Sequence, residues 1–189
     1  MTTIQPANEV AELRAMAEAD FGRYETVKDL IDECIDLMLN YRQSGHPGGS
    51  RSKVYIMVSL LLSGAMRWDI RKPWLRFADR FVLAAGHTVP LVYASLAVLN
   101  ESLRARHERD GGDEFAFPDA GRWALTWEDL LGFRRRGGLP GHAEMAGRTL
   151  VCKWNTGPSG HGLPAAAGEA LALRRAGARA VKVLSLIHI

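Results

Sequence analysis

The chain has 189 residues, of which 47% are hydrophobic and 24% are charged, a balance typical of one globular domain with a sizeable core. Its formal net charge is +3, and Lys and Arg are interspersed with acids, which argues against a nucleic-acid partner.

Met1–Pro6 lack the pattern of a signal peptide. The most hydrophobic window, Val54–Ala65, is too short to cross a bilayer, so we expect no membrane partner. Cys34 and Cys152 match no metal or redox spacing, which favours a reducing, cytoplasmic setting.

The first half of the chain is predicted to be mainly helical. A lead-in helix is predicted for Asn8–Ala19, and a second helix for Glu25–Arg42, where apolar residues recur at three- and four-residue steps. The glycine and proline residues of Ser44–Ser50 should end that helix. Ser50 or Ser52 is expected to cap the next, nearly apolar helix.

The second half alternates short apolar segments with helical ones. Strands are predicted at Arg80–Ala84, Thr149–Lys153 and Ala180–Leu186, and helices at Val89–Arg106 and Pro164–Arg175. Residues His107–Leu125 lack a period and are predicted to form a long loop, and Thr126 with Asp129 resembles a capping box before a short helix. Arg134-Arg135-Arg136 is interpreted as the cationic end of that helix. The aromatic residues before His87 are expected in the core: Trp68, Trp74, Phe77 and Phe81.

This alternation predicts an α/β fold with a mainly parallel sheet and helices on both faces. In such sheets, ligands bind where strand ends meet helix starts. Four of the six histidines are flanked by glycine in predicted turns, which suggests a polar pocket built from separate loops: His46, His87, His142 and His161. Taken singly, each of them could be a turn histidine bonded to backbone. Their spacings match no compact zinc module, and Gly157-Pro158-Ser159-Gly160 lacks the spacing of a serine-hydrolase nucleophile elbow.

Four motifs occur in a distinctive order. They are Ser44-Gly45-His46-Pro47-Gly48, Asp79-Arg80-Phe81-Val82-Leu83 leading to Gly86-His87, Gly141-His142-Ala143-Glu144, and Thr156-Gly157-Pro158-Ser159-Gly160-His161-Gly162. Their order and intervals resemble those of the transketolase family, which carries S-G-H-P-G, D-R-F-[VI]-L-S-x-G-H, G-H-P-E and T-G-P-L-G-Q-G. The resemblance extends from about Glu25 to Leu184.

The resemblance implies that residues 1–189 form part of the pyrophosphate-binding domain of a thiamine-diphosphate enzyme. The family that the chain resembles transfers a two-carbon ketol unit between sugar phosphates, and the cofactor supplies the carbon–carbon chemistry. By this match, His46 would bind substrate and handle a proton on a sugar hydroxyl, and His87 would contact both the diphosphate and the reacting sugar. His142 would contact the donor substrate. The turn along the thiamine would comprise Gly157, Pro158 and Ser159.

The family pattern also implies partners outside this sequence. In the family a strand like Val181–Leu186 leads into G-D-G, and its Asp, with a later Asn, holds a divalent ion such as Mg²⁺. Here the chain reads Ile187-His188-Ile189 instead. We therefore expect the metal ligands and the pyrimidine-binding domain or subunit beyond these residues, a homodimer for the complete protein, and no ketol transfer by the 189-residue chain alone.

Several departures leave alternatives open. Thr88 replaces the family's small residue after Gly-His, Ala143 replaces the proline of G-H-P-E, and Ser159 and His161 replace Leu and Gln of the last motif. The stretch from Gly86 to Tyr93 also resembles G-H-x-x-P-x-V-Y of homodimeric pyruvate dehydrogenase E1, a 2-oxo-acid decarboxylase with the same cofactor. A third hypothesis is a non-catalytic, truncated cofactor-binding module.

Overall fold

A computed structural model describes residues 7–145 and 147–187 of the chain; the predictions made for Met1–Pro6 and for His188 and Ile189 lie outside this part. The first element, α1 (Ala7–Arg42), is one helix of 36 residues, so the prediction of two separate N-terminal helices is wrong. Gly22 lies inside it with open space around its Cα, and one glycine costs a helix only about 1 kcal/mol. The predicted apolar stripe is confirmed, because Ile31, Ile35 and Met38 are completely buried.

Two short helices follow the end of α1. Gln43 and Gly45 have positive φ angles of 53° and 133°, which turn the chain into α2 (Pro47–Arg51) and then α3 (Val54–Leu62). Pro47 occupies the first turn of α2, where its missing N–H has no cost. The predicted serine cap of the apolar helix is wrong, because Ser50 lies within α2 and Lys53 precedes α3 without a side-chain cap.

The two strands of the described part are parallel. In the pair formed by β1 (Arg80–Leu83) and β2 (Val183–Leu186), Arg80 lies opposite Val183 and Leu83 opposite Leu186. This confirms the parallel α/β arrangement and two of the predicted strands. The third predicted strand, Thr149–Lys153, is reduced to one parallel bridge between Cys152 and Phe81, because the chain before it forms a 3-10 turn at Gly147–Thr149.

The helix after β1 is longer than predicted. Helix α4 (Pro90–Asp110) continues to a left-handed Gly111, φ 70°, so His107 lies on its last turn and not in a loop. Two one-turn helices follow, α5 (Ala120–Trp123) and α6 (Trp127–Leu130). The capping box of α6 is confirmed, since the amide of Thr126 donates to Asp129 Oδ2 at 2.9 Å.

One core joins α1, α3, α4 and both strands. Phe81 is buried in it and Trp68 packs against it, whereas Trp74 and Phe77 are exposed, contrary to the prediction. The last helix, α7 (Gly162–Arg175), packs against both strands. Among the described residues, no helix is both long and apolar enough to cross a membrane.

Candidate functional site

The turn that carries His46 is fixed by backbone geometry. Gly45 has φ 133°, and a Cβ at this position would overlap the side chain of Leu39, so the chain needs glycine there. His46 immediately precedes α2, and its carbonyl accepts the amide of Ser50 at 3.1 Å. The His46 side chain is thereby presented at the surface.

The second histidine follows the end of β1. The chain forms a 3-10 turn at Gly86–Thr88, and Gly86 lies so close to the Thr156–Gly157 peptide that a Cβ would be only 2.7 Å from Gly157 N. His87 in this turn donates its backbone amide to Gly157 O at 3.2 Å, and its Nδ1 lies 3.4 Å from the same oxygen. The His87 turn and Gly157 therefore form one packed unit.

The two histidines meet although they are far apart in sequence. The ring centroids of His46 and His87 are 4.8 Å apart, with an interplanar angle of 80°. This edge-to-face contact lies just beyond the carboxyl end of β1, where ligands bind in parallel α/β sheets. The structure thus brings His46, His87 and Gly157 together as the sequence motifs predict.

His142 completes this group from a third loop. The loop is anchored by Tyr93, a buried residue of α4 whose hydroxyl donates to Pro140 O at 2.9 Å. An antiparallel bridge joins Ala143 to Thr156, and Thr156 Oγ1 donates to Leu83 O at 2.6 Å. The imidazole of His142 borders Gly157, whose hypothetical Cβ would be 3.8 Å from His142 Cδ2.

The site favours the neutral form of His46. Partial desolvation, followed by the electrostatic influence of His87, Arg134 and His142, lowers the pKa of His46 below its ordinary value. A neutral imidazole at neutral pH can accept a proton from a bound hydroxyl group. The arrangement is therefore suited to proton transfer on a polar ligand.

The remaining candidate residues are exposed in the turn that precedes α7. Pro158 and Ser159 are exposed in the turn that leads from Gly157 to α7. His161 occupies the N-cap position of α7 and is exposed, and no ring contact joins it to the other three histidines within the described residues. Only three of the four glycine-flanked histidines therefore form the group predicted from sequence.

Arg134 is a site residue that sequence reasoning missed. Helix α6 ends at Leu130, so the arginine run does not serve as its cationic C-terminus, which corrects that prediction. Arg134 instead adopts a left-handed backbone, φ 54°, and donates from Nη1 to Ser44 Oγ at 2.7 Å. A Cβ on Gly141 would be 2.7 Å from Arg134 Nε. The guanidinium thus lies between the loops of His46 and His142, and no local sequence signal distinguishes it from its two arginine neighbours.

No protein-family model matches the chain, whereas individual relatives do. Over 138 residues it is 34% identical to "Transketolase-1, chloroplastic" of Arabidopsis thaliana, which covers 72% of this chain and 16% of the relative. The transketolase of Bacillus subtilis is 33% identical over 135 residues, covering 69% of this chain and 16% of the relative. The chain thus spans about a sixth of the length of these curated relatives.

Solved structures give the same result. A transketolase from Pichia stipitis in complex with sedoheptulose 7-phosphate matches 86% of this chain with a TM-score of 0.64 and 25% identity, covering 21% of the solved chain. Transketolase from Leishmania mexicana matches 86% of this chain and 22% of its own, with a TM-score of 0.61 and 27% identity.

The fold and the histidine group define an α/β domain with a cluster of polar side chains just beyond the carboxyl end of β1. The sequence and structural similarities assign it further: the chain belongs with the transketolases and corresponds to part of their N-terminal region.

Proposed function

We propose that this chain supplies one wall of the active site of a thiamine-diphosphate enzyme that transfers a two-carbon ketol unit between sugar phosphates. The observation that carries this proposal is the 4.8 Å contact between the rings of His46 and His87 beside Gly157. Three motifs separated by dozens of residues meet there, and they are among the motifs that carry the resemblance of the sequence to the transketolase family.

His46 is assigned the proton-transfer role. The residue is exposed and the pKa of its side chain is lowered, so the imidazole is neutral at neutral pH and can accept a proton from a sugar hydroxyl. His87 is held by its backbone amide and Nδ1 against Gly157 O. We assign His87 to both the cofactor and the reacting sugar, and His142 to the donor sugar.

The residues present fit the organic part of the cofactor. Gly157 faces open space bordered by His142, since even a Cβ there would reach only ordinary contact distance. Gly157, Pro158 and Ser159 would hold the thiamine along their backbone, and when bound it would supply the nucleophilic carbon for ketol transfer. Within residues 7–145 and 147–187, no group of three His, Cys, Asp or Glu side chains is placed to hold a metal ion. On the family pattern, we assign the ligands of Mg²⁺ to the Asp of the G-D-G motif and the later Asn.

The proposal includes partners that this chain does not contain. The chain spans 15% to 22% of the transketolases it matches, so we assign residues 1–189 to part of the pyrophosphate-binding domain and place the pyrimidine-binding domain in the remainder. A homodimer in a cytoplasmic setting is proposed for the whole protein. The relatives named above are transketolases, which favours ketol transfer over 2-oxo-acid decarboxylation.

The kinetic test compares three substitutions of the same imidazole. The test uses an active protein in which residues 1–186 are followed by the G-D-G motif, the later Asn and the glutamate of the pyrimidine domain. In this active protein, His46→Ala and His87→Ala should each lower kcat by about a hundredfold. The reason is that their proton transfer and charge stabilisation act mainly in the transition state. The measurement is steady-state ketol transfer with thiamine diphosphate and magnesium.

His107→Ala is the matched control. His107 is exposed on the last turn of α4, where its Nδ1 contacts Gly112 O at 3.1 Å and it lines a separate cavity with Asn100 and Phe115. Its replacement should leave kcat unchanged. Equal and small effects of all three substitutions would overturn the assignment of the site.

A further inference from the structure

Lys53 is a buried lysine that has no acidic partner among the described residues. It lies between α2 and α3, its residue is 1% exposed, and its side chain makes one hydrogen bond among the described residues, from Nζ to Thr88 Oγ1 at 2.5 Å. No carboxylate of the described residues forms an ion pair with it. Burial alone lowers the pKa of Lys53 to about 8. An amine in such a place is unfavourable for folding, because desolvation of its charge is compensated by one hydroxyl group only.

Thr88 connects this amine to the candidate site. It directly follows His87 and is completely buried. Its Oγ1, which accepts from Lys53, donates to Ala85 O at 2.7 Å, and its backbone amide donates to the same carbonyl at 2.9 Å. Lys53 therefore contacts the turn of His87 through a residue whose own hydrogen bonds fix the shape of that turn.

Lys53 also belongs to the segment that carries His46. The chain from His46 runs through α2 directly to Lys53, so the hydrogen bond to Thr88 joins the two histidine-bearing segments. A second polar contact between them, from Ser50 Oγ to Thr88 O, is 3.4 Å long and hence weak. The short bond of Lys53 is the stronger of these two polar links.

We propose that Lys53 is a positioning residue that, through Thr88, holds the imidazole of His87 against that of His46. This inference rests on the proposed function for its catalytic meaning, but the geometry it predicts can be measured without turnover. A residue that served only folding would not be a buried amine, since an apolar side chain of the same length would stabilise this position more. The lysine trades stability for the placement of the His87 turn.

The test combines Lys53→Met with two substitutions of its partner. Met keeps the length of the lysine stem and removes the amine. Lys53→Met should raise the melting temperature at pH 7 and weaken the nuclear Overhauser effect between the carbon-bound ring protons of His46 and His87. Thr88→Val should weaken the same signal and lower the melting temperature, because it leaves the amine of Lys53 without a partner. Thr88→Ser keeps the hydroxyl group and should retain the signal.

Lys72→Met is the matched control, because it makes the same change at an exposed lysine and should alter neither quantity. In the active protein, Lys53→Met should lower kcat by up to about a hundredfold, the typical effect of misplacing a reacting group by about 1 Å. A lower melting temperature for Lys53→Met, or an unchanged ring-to-ring signal, would overturn the positioning role and leave the proposed function intact. Absence of ketol transfer in the unsubstituted protein that also contains the G-D-G motif, the later Asn and the pyrimidine domain would instead overturn the proposed function. The ring-to-ring signal would still decide the role of Lys53.

Discussion

Gly86 has the closest packing in the candidate site. The effect of a larger residue there on the free energy of unfolding can therefore be estimated. An added methyl group at Gly86 would overlap the carbonyl of Thr156 and lie 2.7 Å from Gly157 N. The neighbouring atoms are backbone and cannot move aside alone. To bring the methyl group to an ordinary 3.4 Å from that nitrogen, the turn of His87 must retreat by at least about 0.7 Å, and further to clear the nearer carbonyl of Thr156. Overpacking of this kind typically costs about 1–3 kcal/mol.

Gly86→Ala should therefore lower the free energy of unfolding by about 1–3 kcal/mol, measured by urea denaturation. Gly168→Ala is the matched control, since Gly168 lies in α7 with open space around it. The same methyl group there should raise stability by about 0.5–1 kcal/mol, because alanine favours a helix more than glycine does. If both substitutions stabilised the chain, the contact between Gly86 and the Thr156–Gly157 peptide would be wrong, and with it the joining of the two motifs.

Two further predictions concern buried groups outside the site. Burial disfavours the charge of Asp79, but hydrogen bonds from the backbone amides of Arg67 and Lys182 and from the Arg67 side chain outweigh it and lower the pKa of Asp79. The charged carboxylate of Asp79 thus stabilises the fold above its unfolded-state pKa of about 3.9, and this stabilisation is lost as the pH falls through the lower folded value. Asp79→Asn should lower the free energy of unfolding at pH 7 by about 3 kcal/mol, measured by urea denaturation. An unchanged free energy of unfolding would contradict this prediction. Burial raises the pKa of the Cys152 thiol to about 12. A thiol reagent at pH 8 should therefore label half-buried Cys34 first, and Cys152 only when the chain unfolds. Equal labelling rates of the two cysteines would contradict the burial of Cys152.

The sequence predicts the elements whose signal is local. The stripe of Ile31, Ile35 and Met38 defines the buried face of α1, and the pair of Thr126 and Asp129 defines the start of α6. The strands at β1 and β2 are short apolar runs next to turns, so composition alone identifies them. These features depend on residues within a few positions of one another, which is why they are predictable.

The sequence-based predictions are wrong where contacts between distant residues, or weak local signals, determine the structure. The prediction of separate helices at Asn8–Ala19 and Glu25–Arg42 is wrong, because no residue between them ends a helix, and the single glycine there, Gly22, costs it only about 1 kcal/mol. Arg134 looks like a helix-end cation until Ser44 and Gly141 are placed around it. The burial of Lys53 beneath the His87 turn likewise depends on residues 35 positions away, and nothing in its neighbourhood in sequence indicates it.

The central claim is that the turns of His46, His87 and His142 form one pocket for thiamine diphosphate. The most direct test is to label the histidine rings for nuclear magnetic resonance in the protein that also contains the G-D-G motif, the later Asn and the pyrimidine-binding domain, and to titrate it with thiamine diphosphate in the presence of magnesium. We predict that the ring signals of His46, His87 and His142 shift together with one apparent Kd, while that of His107 stays fixed. Unchanged signals for the three histidines, or an equal shift of His107, would contradict the claim.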